Sequence, residues 1–394
     1  MIHLVTRKFW ANIIDGYRIW QKIKLKLNRG VIGLKPVGQS KGNVLISYMT
    51  LPFVIRQSMM DGHTNRWESM EMARIFLKKG YSVDVIDSSN KTFMPRKNYR
   101  FFLDIHDNMD RISHLLSLGC IKILHTTTSH WLFNNQAEYE RLSELRNRRG
   151  VALEPRRTLP PSRSIHIADF ISMVGNSQTE STYAFAKRSI TKIPISTTHT
   201  YDSPTNKDFS SSKKNFLWLG GGGMVHKGLD IALEAFAGMP ECNLIVCARI
   251  KSEQDFEKLY FKELYETSNI STLGLTDVGS EKFKEMIRGV AWILHPSFSE
   301  GQSGALVLGM HAGLVPIASL FSGIDADRLG ILLKKNTVEE IRSAVREAIS
   351  MPDDKIKQMA EASFEYANEF HTREKFSENF ERFINSINDT KPVF

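Results

Sequence analysis

Phe216-Leu217-Trp218-Leu219-Gly220-Gly221-Gly222-Gly223-Met224-Val225-His226-Lys227-Gly228 runs from a short apolar segment through four consecutive glycines to a lysine, and Leu229–Gly238 then reads as a helix. The apolar run predicts a buried strand. Four glycines remove every Cβ from the turn, so backbone N–H groups of Gly221, Gly222 and Gly223 can approach an anion closely. The helix that follows points its positive end at the same spot, and Lys227 adds a full charge. The turn is not a P-loop: the spacing to the lysine differs, and no Ser or Thr follows it to hold magnesium. A mobile surface loop is the plain alternative. The strand before the turn and the helix after it favour phosphate binding.

Outward from this turn, short β-rich runs alternate with amphipathic segments, the pattern of parallel sheets covered on both faces. In the second half the predicted strands are 216–219, 244–248, 270–273, 291–295 and 316–319. The predicted helices run over 229–238, 254–266, 281–288, 304–312 and 338–349. The first half shows the same alternation, with predicted strands at 43–49, 82–88, 101–105, 121–126 and 170–174 and helices at 64–79 and 134–149. Residues 204–214 are polar and helix-poor and read as a linker. The expected organisation is α/β, an amino-terminal domain over 40–203 and a carboxyl-terminal domain over 215–370. Each would be a doubly wound sheet, so ligands should sit on loops at the carboxyl ends of strands.

A second such loop is His295-Pro296-Ser297-Phe298-Ser299-Glu300-Gly301-Gln302-Ser303-Gly304. Glu300 near the helix start is either a cap favoured by the helix dipole or an acceptor for sugar hydroxyls, with the following N–H groups facing a phosphate. Met310-His311-Ala312-Gly313-Leu314-Val315-Pro316 then stops the helix and feeds the next strand.

With these residues in order, 215 to about 385 resembles the carboxyl-terminal domain of the retaining glycosyltransferases of family 4. The matching features are Lys227-Gly228 after the glycine-rich loop, Ser299-Glu300-Gly301, and Met310 with Gly313 and Pro316. The resemblance implies the GT-B fold, two Rossmann-like domains whose parallel sheets face each other across a cleft. It implies transfer of a sugar from a nucleotide-sugar donor to a glycan or lipid-linked acceptor, with retention, no required metal or cofactor, and a setting in polysaccharide or glycoconjugate biosynthesis. By resemblance Lys227 contacts the donor diphosphate, Glu300 holds the sugar, and Gly301, Gln302 and Ser303 add donor contacts. Two positions depart from the family pattern. Gly222 stands where an arginine is usual and Leu308 where a second glutamate is usual. Each lost charge-assisted hydrogen bond is worth ~1.5–3 kcal/mol. Arg249, directly after a strand, is the candidate to replace the arginine. The departures also motivate a rival reading, a degenerate protein acting as partner or scaffold; another GT-B activity, such as a sugar epimerase, is a further rival.

The first half resembles the family more loosely. Asp61-Gly62-His63-Thr64-Asn65 precedes the first helix, and His125 at the end of strand 121–126 is similar to the family's histidine facing the donor sugar, with His106 and His130 as second and third choices. Arg141, Arg146, Arg148, Arg149, Arg156, Arg157 and Arg163 form a basic run offset by Glu138, Glu140, Glu144 and Glu154. It reads as a salt-bridged face, with an acceptor phosphate as the alternative for Arg156 and Arg157. Residues 371–394, with Phe376, Phe380 and Phe383, read as a helix that either crosses back to the first domain or packs like any other.

The net charge is +9, and residues 1–35 carry eight basic side chains against Asp15. Phe9, Ile13, Tyr17, Trp20, Ile23 and Leu27 would share one face of a basic amphipathic helix over 1–35. Such a helix would suit an anionic membrane surface through residues 5–28, or packing on its own domain. No nucleic-acid-binding motif accompanies the charge, so nucleic acid is not an expected partner. Three cysteines without metal-ligand spacing, no apolar run near the roughly 20 residues of a membrane span, and no signal core point to a cytoplasmic protein, with the inner membrane face as the site of any peripheral contact.

Overall fold

The computed structural model describes residues 30–55, 61–325, 327 and 329–388. The expected basic helix falls mostly on residues 1–29, outside that range, together with its membrane contact. Its far end differs from expectation: Val31–Leu34 is a strand, β1. The Gly33 turn-former and the β-branched Val31 and Ile32 pair antiparallel with β3 (Ser82–Asp87) at the sheet edge.

The first sheet adds β2 (Asn43–Tyr48), β4 (Tyr99–Asp104), β5 (Ile121–Thr126), β6 (Phe170–Met173) and β7 (Thr191–Lys192), in the order β1-β3-β2-β4-β5-β6-β7. All pairs but the first are parallel. The second sheet holds β8 (Asn215–Leu219), β9 (Asn243–Cys247), β10 (Ile270–Thr272), β11 (Trp292–His295), β12 (Val315–Ser319) and β13 (Ile331–Leu333). Its order is β10-β9-β8-β11-β12-β13, wholly parallel. Every residue of β11 and β12 is buried, as strands covered on both faces must be. In this sheet the order reverses between β8 and β11, the kind of switch point at which doubly wound sheets bind their ligands.

Among the described residues the helices of eight residues or more are α1 (Thr64–Lys78), α2 (Trp131–Arg149), α3 (Leu229–Ala237), α4 (Glu281–Arg288), α5 (Gly304–His311), α6 (Val338–Ser350), α7 (Asp353–Phe370) and α8 (Arg373–Asn388). Local chemistry starts and stops them. Ser280, Ser303 and Thr337 cap α4, α5 and α6 by accepting from backbone N–H groups. Gly150, left-handed, ends α2. The segment 204–214 is packed: Pro204 and Phe209 are buried. Phe376, Phe380, Phe383, Ile384 and Ile387 of α8 complete the core of the first sheet beside α1.

The basic run joins the domains. Arg141 Nη2 lies 2.7 Å from Asp230 of α3, both side chains being buried. Arg148 reaches Asp230 and Glu234, Arg149 reaches Glu234 and Glu263, and Arg156 reaches Asp255. Leu145 of α2 enters the core of the second sheet, so α2 carries its sequence with the first domain and part of its packing with the second.

Candidate active site

β8 and β11 are neighbours, so the glycine-rich loop after β8 and the loop after β11 leave the sheet side by side. That adjacency brings Lys227 Nζ to 2.7 Å from Glu300 Oε1. Ser297 Oγ lies 3.5 Å and His295 Nε2 3.8 Å from the same oxygen. Burial acts to raise the Glu300 pKa, but the Lys227 ammonium, His295 and Arg157 outweigh it and hold the carboxyl well below the usual carboxylate range. Burial lowers the pKa of His295. The pair is therefore an ammonium and a carboxylate poised at the mouth of the switch point.

The glycine loop is used differently from the reading of its sequence. Gly223 N–H and Met224 N–H donate to the two carboxylate oxygens of Glu253, at 2.5 and 3.1 Å. Glu253 follows β9 and satisfies amides that would otherwise be buried without partners. A Cβ on Gly222 would stand 3.4 Å from the same carboxylate, whereas one on Gly221 would meet nothing within 4 Å, so the open part of the loop lies at Gly221. Gly223 has φ +77°, and Cγ and Cδ of Arg157 lie 2.6 and 2.7 Å from where its Cβ would be. Only glycine combines that backbone with that contact.

His226, beside Lys227, ties three segments together. Its Nδ1 lies 2.9 Å from Glu138 of α2, and its Nε2 lies 3.0 Å from the Ser299 carbonyl. The ring therefore bridges a side chain of α2 and the backbone of the loop after β11. Glu138 also accepts from the Arg156 and Arg157 N–H groups. Burial works to raise its pKa, and the bonds from His226 and these N–H groups reverse the shift, keeping the carboxyl ionised.

Gly301 packs where the domains meet. A Cβ there would lie 2.2 Å from the Thr127 carbonyl oxygen and 2.6 Å from that of Val174. Ser129 Oγ and Thr179 Oγ1 donate to the carbonyls of Glu300 and Gly301. Gln302 Oε1 accepts from Ile195 N–H at 2.8 Å, and Ser303 gives its N–H to the Ser322 carbonyl while capping α5. The side chain of Gln302 and the N–H of Ser303 are thus committed to the domain interface and the helix start. Leu308 is buried on α5.

His125 stands apart from this group. On β5 it shares a face with Ile121 and Ile123, the face covered by α8, and its ring meets Phe376 and Phe380 edge-on at 6.3 and 6.2 Å. Its Nδ1 is 2.8 Å from Ser172 Oγ, and burial pushes its pKa down to about 3. It occupies a core position rather than the donor-facing one the sequence led us to expect. Of the other two histidines, His106 offers its carbonyl to Ser162 and Ser164, and His130 packs against Phe185 at 4.8 Å.

The opposite wall of the cleft holds residues the motif reading did not assign. His63 caps α1 by accepting from Asn65 N–H. Its residue keeps solvent contact, yet the packed cleft desolvates its charged form, and Lys227, Arg66 and Arg157 add to the effect, lowering its pKa to about 4. Thr64 comes within 3.6 Å of the Cβ position of Gly304, so the starts of α1 and α5 face each other. Arg249 is exposed beside Lys251 on a cleft of about 550 Å3 at the ends of β9 and β10, with Tyr265, Leu273 and Leu275 as apolar walls. That volume suits a small organic ligand. Among the described residues, no group of three His, Cys, Asp or Glu side chains is placed to hold a metal ion, and no helix is long and apolar enough to cross a membrane.

Solved structures share this fold over nearly nine-tenths of the chain. Sucrose-phosphate synthase from Thermosynechococcus elongatus superposes with a TM-score of 0.61 at 12% identity, over 89% of this chain and 99% of that one. The fold is GT-B. HepE from Anabaena, solved in complex with UDP and glucose, gives a TM-score of 0.55 at 12% identity, over 88% of this chain and 100% of that one. WaaG, a glycosyltransferase involved in lipopolysaccharide biosynthesis, gives 0.52 at 15% identity, over 88% and 100%. No family model and no curated protein matches the sequence. At these identities the likeness speaks for the GT-B architecture alone.

Proposed function

We propose that this GT-B chain transfers a sugar from a nucleotide-sugar donor to a hydroxyl of a glycan or lipid-linked acceptor, with retention and without a required metal or cofactor. The observation that carries the reading is the Lys227–Glu300 pair, 2.7 Å apart on two loops at the switch point of the second sheet. In this pair each charge neutralises the other. A donor would separate them, its diphosphate taking Lys227 and its sugar hydroxyls taking Glu300. Lys227 then stabilises charge developing on the leaving diphosphate. Glu300 orients the sugar, and the acceptor hydroxyl attacks from the first domain. The nucleoside fits the 550 Å3 cleft lined by Arg249 and Lys251. HepE, of the same fold, holds UDP and glucose, which supports a nucleotide-sugar donor here. His125, enclosed by Phe376 and Phe380, is left out of the donor site.

One observation favours a second reading. Glu253 already fills the amides of the glycine loop, as it would in a degenerate protein that serves as a scaffold. Incubating the purified chain with a panel of nucleotide sugars, beside Lys227→Ala and Glu300→Ala, separates the two. Turnover or slow donor hydrolysis lost in both variants supports transfer. A folded protein that binds no donor supports the scaffold. Retention is read from the anomeric configuration of the product by NMR.

A further inference from the structure

The glycine loop and Lys227 leave a charge problem that the rest of the cleft must solve. A nucleoside diphosphate brings at least two negative charges. Gly223 N–H and Met224 N–H are given to Glu253, which itself adds a negative charge beside the loop. Lys227 starts from a pair with Glu300. A second cation is needed, and it has to approach from outside the loop.

Arg157 is the side chain so placed. Its backbone is fixed from both sides: its N–H donates to Glu138 at 3.1 Å and its carbonyl accepts from Asn134 Nδ2 at 2.5 Å. From that anchor its Cγ and Cδ lie directly on Gly223, in the space a side chain there would fill. Its charge is felt by both Glu300 and His63, on the two walls of the cleft. Within the same run Arg141 and Arg148 are held by Asp230, Arg149 by Glu263, Arg156 by Asp255 and Arg163 by Asp110. Among the described residues the guanidinium of Arg157 lies in no ion pair within 4 Å. It is exposed to solvent, and Gly221, two residues before Gly223 in the same loop, leaves open space.

We propose that Arg157 of the first domain is a donor-binding residue that reaches across Gly223 to meet the diphosphate together with Lys227, so that a nucleoside diphosphate is gripped by both domains at once. A planar guanidinium suits two phosphate oxygens. The inference rests on the nucleotide-sugar reading of the same site.

Calorimetric titration of the full chain with UDP, ADP and GDP, each beside its nucleoside, tests it. Arg157→Ala, with an unchanged melting temperature, should weaken the diphosphate that binds by roughly ten- to a hundredfold and leave its nucleoside unaffected. Arg157→Lys should recover part of the loss. Diphosphate affinity that falls in Lys227→Ala but holds in Arg157→Ala overturns this inference alone, and returns Arg157 to another anion such as an acceptor phosphate. No diphosphate binding by the folded wild-type chain overturns both this inference and the reading beneath it.

Discussion

The carboxyl-terminal wall of the cleft presents Lys227 and Glu300 from two loops that leave neighbouring strands, whereas the amino-terminal wall presents His63, Ser129, Arg157 and Thr179 from four separate segments. Both walls rest on doubly wound sheets. The first concentrates its polar groups at one switch point. The second spreads them along its edge and spends most of them on holding the domains together, through Glu138, Arg141, Arg148 and Arg149. Chemistry that stabilises charge needs groups fixed within a few ångströms of each other, and contiguous loops supply that. A clasp between domains works from any position that reaches across.

The contrast breaks first, if it is wrong, at the chemistry. Lys227→Ala and Glu300→Ala should each lower transfer by roughly 10²–10³-fold, the cost of losing one preorganised charged partner, about 3–4 kcal/mol. Loss of less than tenfold in both would move the catalytic burden to the other wall. Next comes the clasp. Arg141→Ala leaves Asp230 buried with Arg148 as its remaining partner, and should lower unfolding stability by about 3 kcal/mol in urea titrations. A loss within about 0.5 kcal/mol, the ordinary range for surface changes, would show that the Arg141–Asp230 pair adds little to the hold between the domains.

Glu68 sharpens the comparison through pH. It is buried on α1, where it accepts from Ser196 N–H and Oγ, and burial raises its pKa from 4.5 to about 7. The folded state therefore binds this proton more tightly than the unfolded one. Its contribution is complete below pH 4.5 and is lost as pH rises through 7. Glu68→Gln should flatten that decline and exceed the wild type by up to roughly 3 kcal/mol above pH 8, read from melting curves across pH. A wild-type chain equally stable at pH 5 and pH 8 would contradict it. The smallest effect belongs to His125. His125→Ala opens a cavity beneath Phe376 and Phe380 and should cost about 2 kcal/mol of stability, while turnover per folded molecule stays within threefold. A hundredfold loss of turnover would restore it to the donor site.

Much of the fold was legible in the chain's own pattern, and for a local reason. The alternation of short apolar runs with amphipathic segments marked both sheets. The expected helix starts at 304 and 338 match the structure, and the loops at Gly220–Gly228 and Ser299–Gly301 carried the charged pair because each leaves a strand and enters a helix. Short edges such as β7 and β13, and β1 in place of a helix, escaped because two- to four-residue strands hold by pairing rather than by their own pattern.

The sequence by itself determined which residues alternate along each strand, roughly where several of the helices lie, and that Lys227 and Glu300 sit on loops at strand ends. Only the tertiary structure decided which face of β5 lies under α8, and so where His125 points; that Glu253 takes the amides of the glycine loop; and that Arg157 lies on Gly223. These contacts join residues far apart in the chain, and their partners are chosen by how the sheets and helices pack, a choice no local spacing encodes.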